Sequence, residues 1–323
     1  MSGPRVGLIG ARRVRQGLGP FVARFLSELG AEVPAFLGTS ARSIQAASAD
    51  LERHGVTGAR GYTNLSDMLA REDLDALAIL SPAETHEAYL EAARNAGLHV
   101  LCEKPLIWGA ANLAQRTQNI AEDFSARGLL LAENCQWPEV LPTFHELYPG
   151  SVDEPLESFA MYLSPASLGA QMIGDALPHP LSLLQALDPS THAELMDPRV
   201  SSGDPAAEEL ALEFLYRTPR ADVEVKIELI RSESLPRRAG LTINGRTAER
   251  RIRLEDYSLS LVAGTRELPL EDPLLCRLRR FLADLDLARH GRLPPPFPIP
   301  QRARMLERLL ETFQSSETPE TSH

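Results

Sequence analysis

Apolar residues in the first 136 positions come in short, nearly unbroken runs separated by stretches with helical spacing. Arg5-Val-Gly-Leu-Ile-Gly10 is such a run, and an unbroken apolar strand is one covered on both faces. Pro20 to Leu29 places Phe21, Val22, Phe25, Leu26 and Leu29 on one helical face, with Pro20 at its start and Gly30 at its stop. Val33–Leu37 predicts a second strand, with a helix from Arg42. Leu74–Leu80, His99–Cys102 and Leu129–Asn134 predict further strands, with helices over 85–96 and 111–124 between them. Strands alternating with helices of this length imply right-handed crossovers and a parallel, doubly wound sheet.

The rhythm changes past residue 150. Val223-Glu-Val-Lys-Ile-Glu-Leu229 alternates strictly, as a strand with one wet face does. Asn244-Gly245, inside Leu241-Thr-Ile-Asn-Gly-Arg246, is a hairpin signal. Residues 157–163, 209–216 and 258–262 add strand candidates, and helices are expected over 273–289 and 299–313. The fold class expected is therefore a doubly wound α/β unit followed by an α+β unit, whose mostly antiparallel sheet is flanked by helices. The expected divisions are 1–136 for dinucleotide binding, 137–314 for substrate binding and oligomerisation, and 315–323 as a flexible tail.

A length of 323 residues suits two domains, each able to bury a core. The net charge of −11 argues against a general affinity for nucleic acid or anionic membrane. Cys102, Cys135 and Cys276 give neither a disulfide framework nor a zinc pattern, and no metal is expected. The run from Met1 to Arg5 leads directly into a strand-like segment, and no apolar stretch approaches a membrane span. A soluble protein of a reducing compartment, the cytoplasm, is expected.

Candidate chemistry gathers at the ends of the predicted parallel strands. After Gly10, positions that would be glycine in a standard dinucleotide turn are Arg12 and Arg15, and glycine returns at Gly17 and Gly19. Arg12, Arg13 and Arg15 either clamp phosphates by charge or are solvated. After the second strand, Gly38-Thr39-Ser40-Ala41-Arg42 lacks the acid that would hold a ribose 2′-hydroxyl. Thr39, Ser40 and Arg42 suit a 2′-phosphate and favour NADP(H) over NAD(H), while Ser40 also suits a helix cap. The third strand runs into Ser81-Pro82-Ala-Glu-Thr-His86 and the fourth into Glu103-Lys104-Pro105. A lysine there can hydrogen-bond a substrate oxygen and assist proton transfer.

Ser81-Pro-Ala-Glu-Thr-His86, followed by Ala96-Gly-Leu-His-Val-Leu-Cys-Glu-Lys-Pro105, resembles the glucose-fructose oxidoreductase and inositol dehydrogenase family (Gfo/Idh/MocA). The resemblance implies a Rossmann domain, an open-sheet second domain, and dimers or tetramers of the chain. It implies that Lys104 is the catalytic lysine, that Glu103 stands beside the cofactor, and that Ser81, Pro82 and His86 line the dinucleotide. Gly174-Asp175-Ala-Leu-Pro-His179 matches the Asp and His of the family's Asp-x-Gly-x-His motif, with Leu177 in place of the middle glycine. By that match His179 exchanges a proton with a substrate hydroxyl, and Asp175 positions substrate or lysine. The chain departs from the family in its glycine loop, at Ser182, and at Asn134-Cys-Gln136-Trp137-Pro138. Gln136 and Trp137 are candidate substrate contacts, Trp137 being equally suited to a core role.

These readings converge on an NAD(P)-dependent oxidoreductase moving a hydride between nicotinamide and a polar carbinol or carbonyl, such as a sugar or cyclitol. Its partner is a small molecule, and a cleft between the two halves is the expected site. The alternatives are an imine reductase on the same scaffold and a non-catalytic dinucleotide-binding sensor.

Overall fold

Six parallel strands form the first sheet: β1 (Val6–Ile9), β2 (Ala35–Leu37), β3 (Arg60–Tyr62), β4 (Ala76–Ile79), β5 (His99–Cys102) and β6 (Leu131–Glu133). Their order is β3-β2-β1-β4-β5-β6, which reverses direction between β1 and β4. The helices between them are α1 (Gly19–Glu28), α2 (Ala41–Arg53), α3 (Leu65–Arg71), α4 (His86–Asn95) and α5 (Leu113–Ala126). The computed structural model describes residues 3–12, 17–151, 153–190, 192–202, 208–295 and 297–317.

Both faces of this sheet are covered, which is why its strands read as apolar runs. Val6, Leu8, Ala76, Ala78 and Leu101 point to one side, against Val22, Phe25 and Leu26 of α1 and Leu51 of α2. Ile9, Leu77, Ile79, Val100 and Cys102 point to the other, against Met68, Leu90 and Phe124 of α3, α4 and α5. Sequence reasoning passed over β3, which has three residues, Arg60-Gly-Tyr62, at the sheet edge, where the tyrosine alone is buried.

The chain divides into two compact units. The first holds residues 1–111, 115–134 and 274–299; the second holds 112–114, 135–273 and 300–323. The 274–299 segment, expected with the second domain, thus lies in the first. The second unit contains α6 (Leu141–Leu147), β7 (Ser158–Leu163), α7 (Ala170–Ala176), α8 (Pro178–Leu187), β8 (Glu194–Ser202), β9 (Glu209–Arg217) and β10 (Asp222–Ile230). It continues with β11 (Ala239–Ile243), β12 (Arg246–Ile252), β13 (Leu259–Ala263) and β14 (Arg266–Leu270).

Two long helices close the chain, α9 (Pro273–Arg289) and α10 (Ile299–Glu317). From α9, Leu274, Leu278, Phe281 and Leu285 fill the first unit's core beside α1. Arg277 fixes the helix there, donating from Nε and Nη2 to the Glu133 carbonyl at 3.2 and 3.1 Å. Helix α10 runs past the expected end at 313 because Ser315 and Ser316 hydroxyls donate back to the Glu311 and Phe313 carbonyls. Positions 318–323 of the expected tail lie outside the described residues.

The eight strands of the second sheet are ordered β14-β13-β12-β11-β7-β10-β9-β8. All pairings are antiparallel except β7 with β10. Burial alternates along β9 and β10, as the alternating sequence requires. Asn244 and Gly245 link β11 to β12 with φ of 48° and 76°, the left-handed pair of a tight hairpin. The Asn244 side chain does more than turn the chain: its Oδ1 accepts from the Glu157 and Ser158 backbone, and its Nδ2 donates to the Pro155 carbonyl.

Candidate active site

In the first unit, four neighbouring strand ends present the candidate residues. β1 ends at Gly10, whose φ of 91° favours glycine. A Cβ at Gly10 would lie 2.6 Å from the Leu80 carbonyl oxygen, and one at Gly19 would lie 2.3 Å from the Gly10 oxygen. This cradle leaves backbone where side chains would otherwise stand. It leads into α1, whose first turn carries Pro20 and has no side-chain cap, so its free N–H groups suit a pyrophosphate. Gly17 is partly exposed and Arg12 exposed in the same loop; Arg13 and Arg15 lie outside the described residues.

After β2, Thr39, Ser40 and Arg42 are exposed. Ser40 caps α2: its Oγ accepts from the Ser43 N–H at 3.2 Å, and the Ser43 Oγ accepts from the Ser40 N–H at 2.9 Å. Thr39 and Arg42 remain the exposed polar groups of that loop.

The loops after β4 and β5 are tied to each other. Ser81 Oγ and Thr85 Oγ1 are 2.7 Å apart, Thr85 Oγ1 donates to the Pro82 carbonyl, and Pro82 itself is exposed. His86 is buried, with Nε2 2.8 Å from the Ser81 carbonyl and Nδ1 3.1 Å from the Pro105 carbonyl. It therefore spans the two loops from behind, a positioning role. Glu103 accepts from the Asn134 amide. Burial pushes its carboxyl above the usual range, and Lys104, Asn134 and His86 partly offset this. Lys104 follows at the end of β5, partly exposed, before a cis bond to Pro105. Burial, with Glu133 and Glu103, pushes the Cys102 thiol well up, which suits a packing cysteine rather than a nucleophile. Sequence reasoning named Asn134 only as a departure from the family; its place after β6, beside β5, is what makes it Glu103's partner.

In the second unit, Trp137 is buried in a single 3₁₀ turn, and its ring centroid is 6.4 Å from that of His179. His179 is partly exposed in the first turn of α8, started by Pro178. Ser182 donates its hydroxyl to the His179 carbonyl at 2.7 Å. Asp175 is exposed near the end of α7. Burial lowers the Arg237 guanidinium, and the negative charge of Asp175 opposes that shift. Gln136 is partly exposed, next to Cys135, whose sulfur lies 3.3 Å from Arg302 Nη1. Arg302 also donates to Gln185 at 2.9 Å, a buried network that holds the 135–137 segment. Sequence reasoning missed Arg250, whose guanidinium lies 5.2 Å from the Trp137 ring centroid. Nothing local in the sequence marks it, since it is one of several arginines over 246–253.

Residues 4–130 match an oxidoreductase family described as having an NAD-binding Rossmann fold, Gfo/Idh/MocA. The match is confined to the Rossmann unit and covers less than half of the chain. Among its relatives, a dTDP-3,4-didehydro-2,6-dideoxy-alpha-D-glucose 3-reductase of Streptomyces violaceoruber is 42% identical over 95 residues. That stretch is 29% of this chain and 26% of the relative. The NADP(+)-dependent scyllo-inositol 2-dehydrogenase IolU of Bacillus subtilis (strain 168) is 32% identical over 126 residues, 38% of this chain and 36% of the relative. These curated matches therefore span about a quarter to a third of their relatives' lengths. The fold of the whole chain is similar to that of UDP-N-acetylglucosamine 3-dehydrogenase GnnA from Acidithiobacillus ferrooxidans, with a TM-score of 0.70 and 19% identity. That similarity covers 98% of this chain and 100% of the other. Among the described residues no group of His, Cys, Asp and Glu could hold a metal, and no helix is long and apolar enough to cross a membrane.

Proposed function

We propose that this chain is an NAD(P)-dependent oxidoreductase that interconverts a carbinol and a carbonyl on a polar metabolite of the sugar or cyclitol kind. One observation carries the reading: Lys104 stands at the end of β5, two strands from the Gly10 cradle at the β1/β4 reversal. Ligands of open parallel sheets bind beyond the carboxyl ends of the strands at such a reversal. Relatives named as dTDP-sugar and inositol oxidoreductases support the substrate class.

A bound nicotinamide would supply or accept the hydride at the substrate carbon. The N–H groups of α1 and the Gly10 backbone would hold pyrophosphate, and the charges of Arg12 and Arg13 would favour it. Ser81 and Pro82 border the dinucleotide, while His86 holds their loop to Pro105. Thr39, Ser40 and Arg42 favour NADP(H), and the relative IolU is named for NADP(+). Lys104 donates a hydrogen bond to the substrate oxygen, and Glu103 steadies the lysine's charge. His179 takes the hydroxyl proton in oxidation and returns it in reduction; Asp175 positions the substrate, and Gln136 and Trp137 border it. Homodimers or tetramers in the cytoplasm complete the reading.

Absorbance at the nicotinamide band, followed over a panel of sugars, cyclitols, their keto forms and imines, tests it. Turnover on a carbinol or carbonyl is expected. Turnover on imines alone, or cofactor binding without any turnover, would replace it by the reductase or sensor reading.

A further inference from the structure

The second unit carries a concentration of positive charge that the proton chemistry does not use. A concave surface between the loop before β11 and strands β12 and β13 is lined by Arg237, Arg238, Arg250 and Arg251, with Glu249 as its acid. In a chain of net charge −11, four arginines on one surface need an explanation. Three of them have acidic or phenolic neighbours. Arg251 pairs with Glu267 at 2.6 Å. Arg238 lies 5.7 Å from the Tyr162 ring centroid, and Glu249 adds to the burial that raises the Tyr162 phenol. Arg237 donates from Nε to the Ser232 carbonyl at 3.1 Å and faces Asp175.

Arg250 also has the Tyr162 phenol near it, and differs from these in where it stands. Cross-strand register sets it opposite Ala239 and Leu261, in the row that Leu163 continues, on the buried face of the sheet. Its guanidinium lies over Trp137, its Nη2 reaches the Arg237 carbonyl at 3.4 Å, and its Nε is sealed from solvent with no hydrogen-bond partner. Among the described residues no carboxylate pairs with it. A guanidinium held in an apolar row is unfavourable until an anion completes it. Its planar fork matches the two oxygens of a carboxylate or phosphate. The Trp137 ring neighbours both Arg250 and His179, at 5.2 and 6.4 Å from its centroid.

We propose that Arg250, with Arg237 beside it, is an oxyanion-binding group, and that the substrate carries a carboxylate or phosphate in addition to its reacting carbinol. The anion docks on Arg250 and Arg237, with Trp137 the ring that neighbours both Arg250 and His179. The substrate part of this inference rests on the activity proposed above; the anion site itself does not.

Calorimetric titration of the full chain, without cofactor and at constant ionic strength, uses inorganic phosphate in one arm and gluconate in the other. Binding of at least one anion is expected, and the tighter arm identifies the source chemistry. Arg250→Met and Arg237→Met should each weaken it about tenfold or more, the loss of one charge-assisted contact. Arg250→Lys keeps the charge but not the fork, and serves if Arg250→Met does not fold; a several-fold weakening is expected. No binding of either anion by the parent, or binding unchanged in all three variants, overturns the proposal. A second assay compares turnover of glucose, glucuronate and glucose 6-phosphate. A preference for an anionic member that Arg250→Met or Arg250→Lys abolishes supports the substrate class, and a neutral preference untouched by both variants overturns it. Absence of all turnover refutes the activity, and the titration then decides the anion site alone.

Discussion

In the first unit, Gly10, Ser81 and Glu103–Lys104 stand within a few residues of the ends of three adjacent parallel strands. In the second, Trp137, Asp175, His179, Arg237 and Arg250 come from a 3₁₀ turn, two short helices, a loop and the middle of a strand. The first arrangement is set by topology: once the sheet forms, these backbone positions converge. The second depends on side chains meeting over more than a hundred positions of sequence. Residues of the first kind therefore show as local motifs, and residues of the second kind show only in pairs, if at all.

The largest expected effect tests whether both arrangements serve one reaction. Lys104→Met and His179→Ala should each lower kcat by about 10²–10⁴-fold, the usual contribution of a positioned acid or base. The measurement is steady-state turnover with saturating cofactor. Full turnover in His179→Ala would remove the second unit from proton handling and leave only the first side of the comparison. Asp175→Asn, a positioning change, should act less and mainly through KM.

Next comes the cradle. Gly10→Ala adds a Cβ at 2.6 Å from the Leu80 oxygen and forces a left-handed φ on alanine. A loss of about 1–3 kcal/mol of stability is expected from strain of this kind. Denaturant unfolding reads it, and dinucleotide affinity should fall with it. His86→Ala removes the ring between the Ser81 and Pro105 carbonyls, and about 1–3 kcal/mol is expected for stranding buried polar groups. Trp137→Phe, by contrast, should leave dinucleotide affinity unchanged, since that residue belongs to the second unit.

How much was legible follows the same division. The Rossmann order, the Asn244-Gly245 hairpin and the motif around Glu103-Lys104 could be read because period, turn chemistry and strand ends are local signals. Strand β3 could not, having one buried side chain in three residues. Nor could the return of 274–299 to the first unit, because an apolar helix face says that it packs and not against what. Arg250 was invisible for a related reason. In sequence it is one arginine of a charged strand, Arg246-Thr-Ala-Glu-Arg-Arg-Ile252, and only register puts it on the buried face.

A smaller effect concerns cofactor choice. Arg42→Ala should weaken NADPH about tenfold, ~1.4 kcal/mol, while sparing NADH. Fluorescence titration of both cofactors checks it, and equal losses would mean that Arg42 does not meet a 2′-phosphate. Arg12→Ala should instead weaken both cofactors alike, because a pyrophosphate is common to them.

The smallest effect is a pH dependence that each unit carries separately. In the first, His99 Nδ1 accepts from the Leu130 N–H at 2.9 Å, and burial lowers its basicity, with Arg289 adding to the shift and Asp75 opposing it. In the second, burial alone lowers His145, whose Nδ1 is 2.7 Å from Ser151 Oγ. For both, the unfolded chain takes up a proton first as pH falls below about 6.5, the value of a free histidine. Protons thus favour the unfolded state, and stability is full above that pH and declines below it. Denaturant unfolding at pH 7.5 and 5.5 should show the parent losing stability in acid, with His99→Gln and His145→Gln each losing less. If His99→Gln keeps the parent's full acid loss, the Leu130 contact carries no proton linkage. The first unit's sheet would then be as indifferent to acid as its apolar strands suggest.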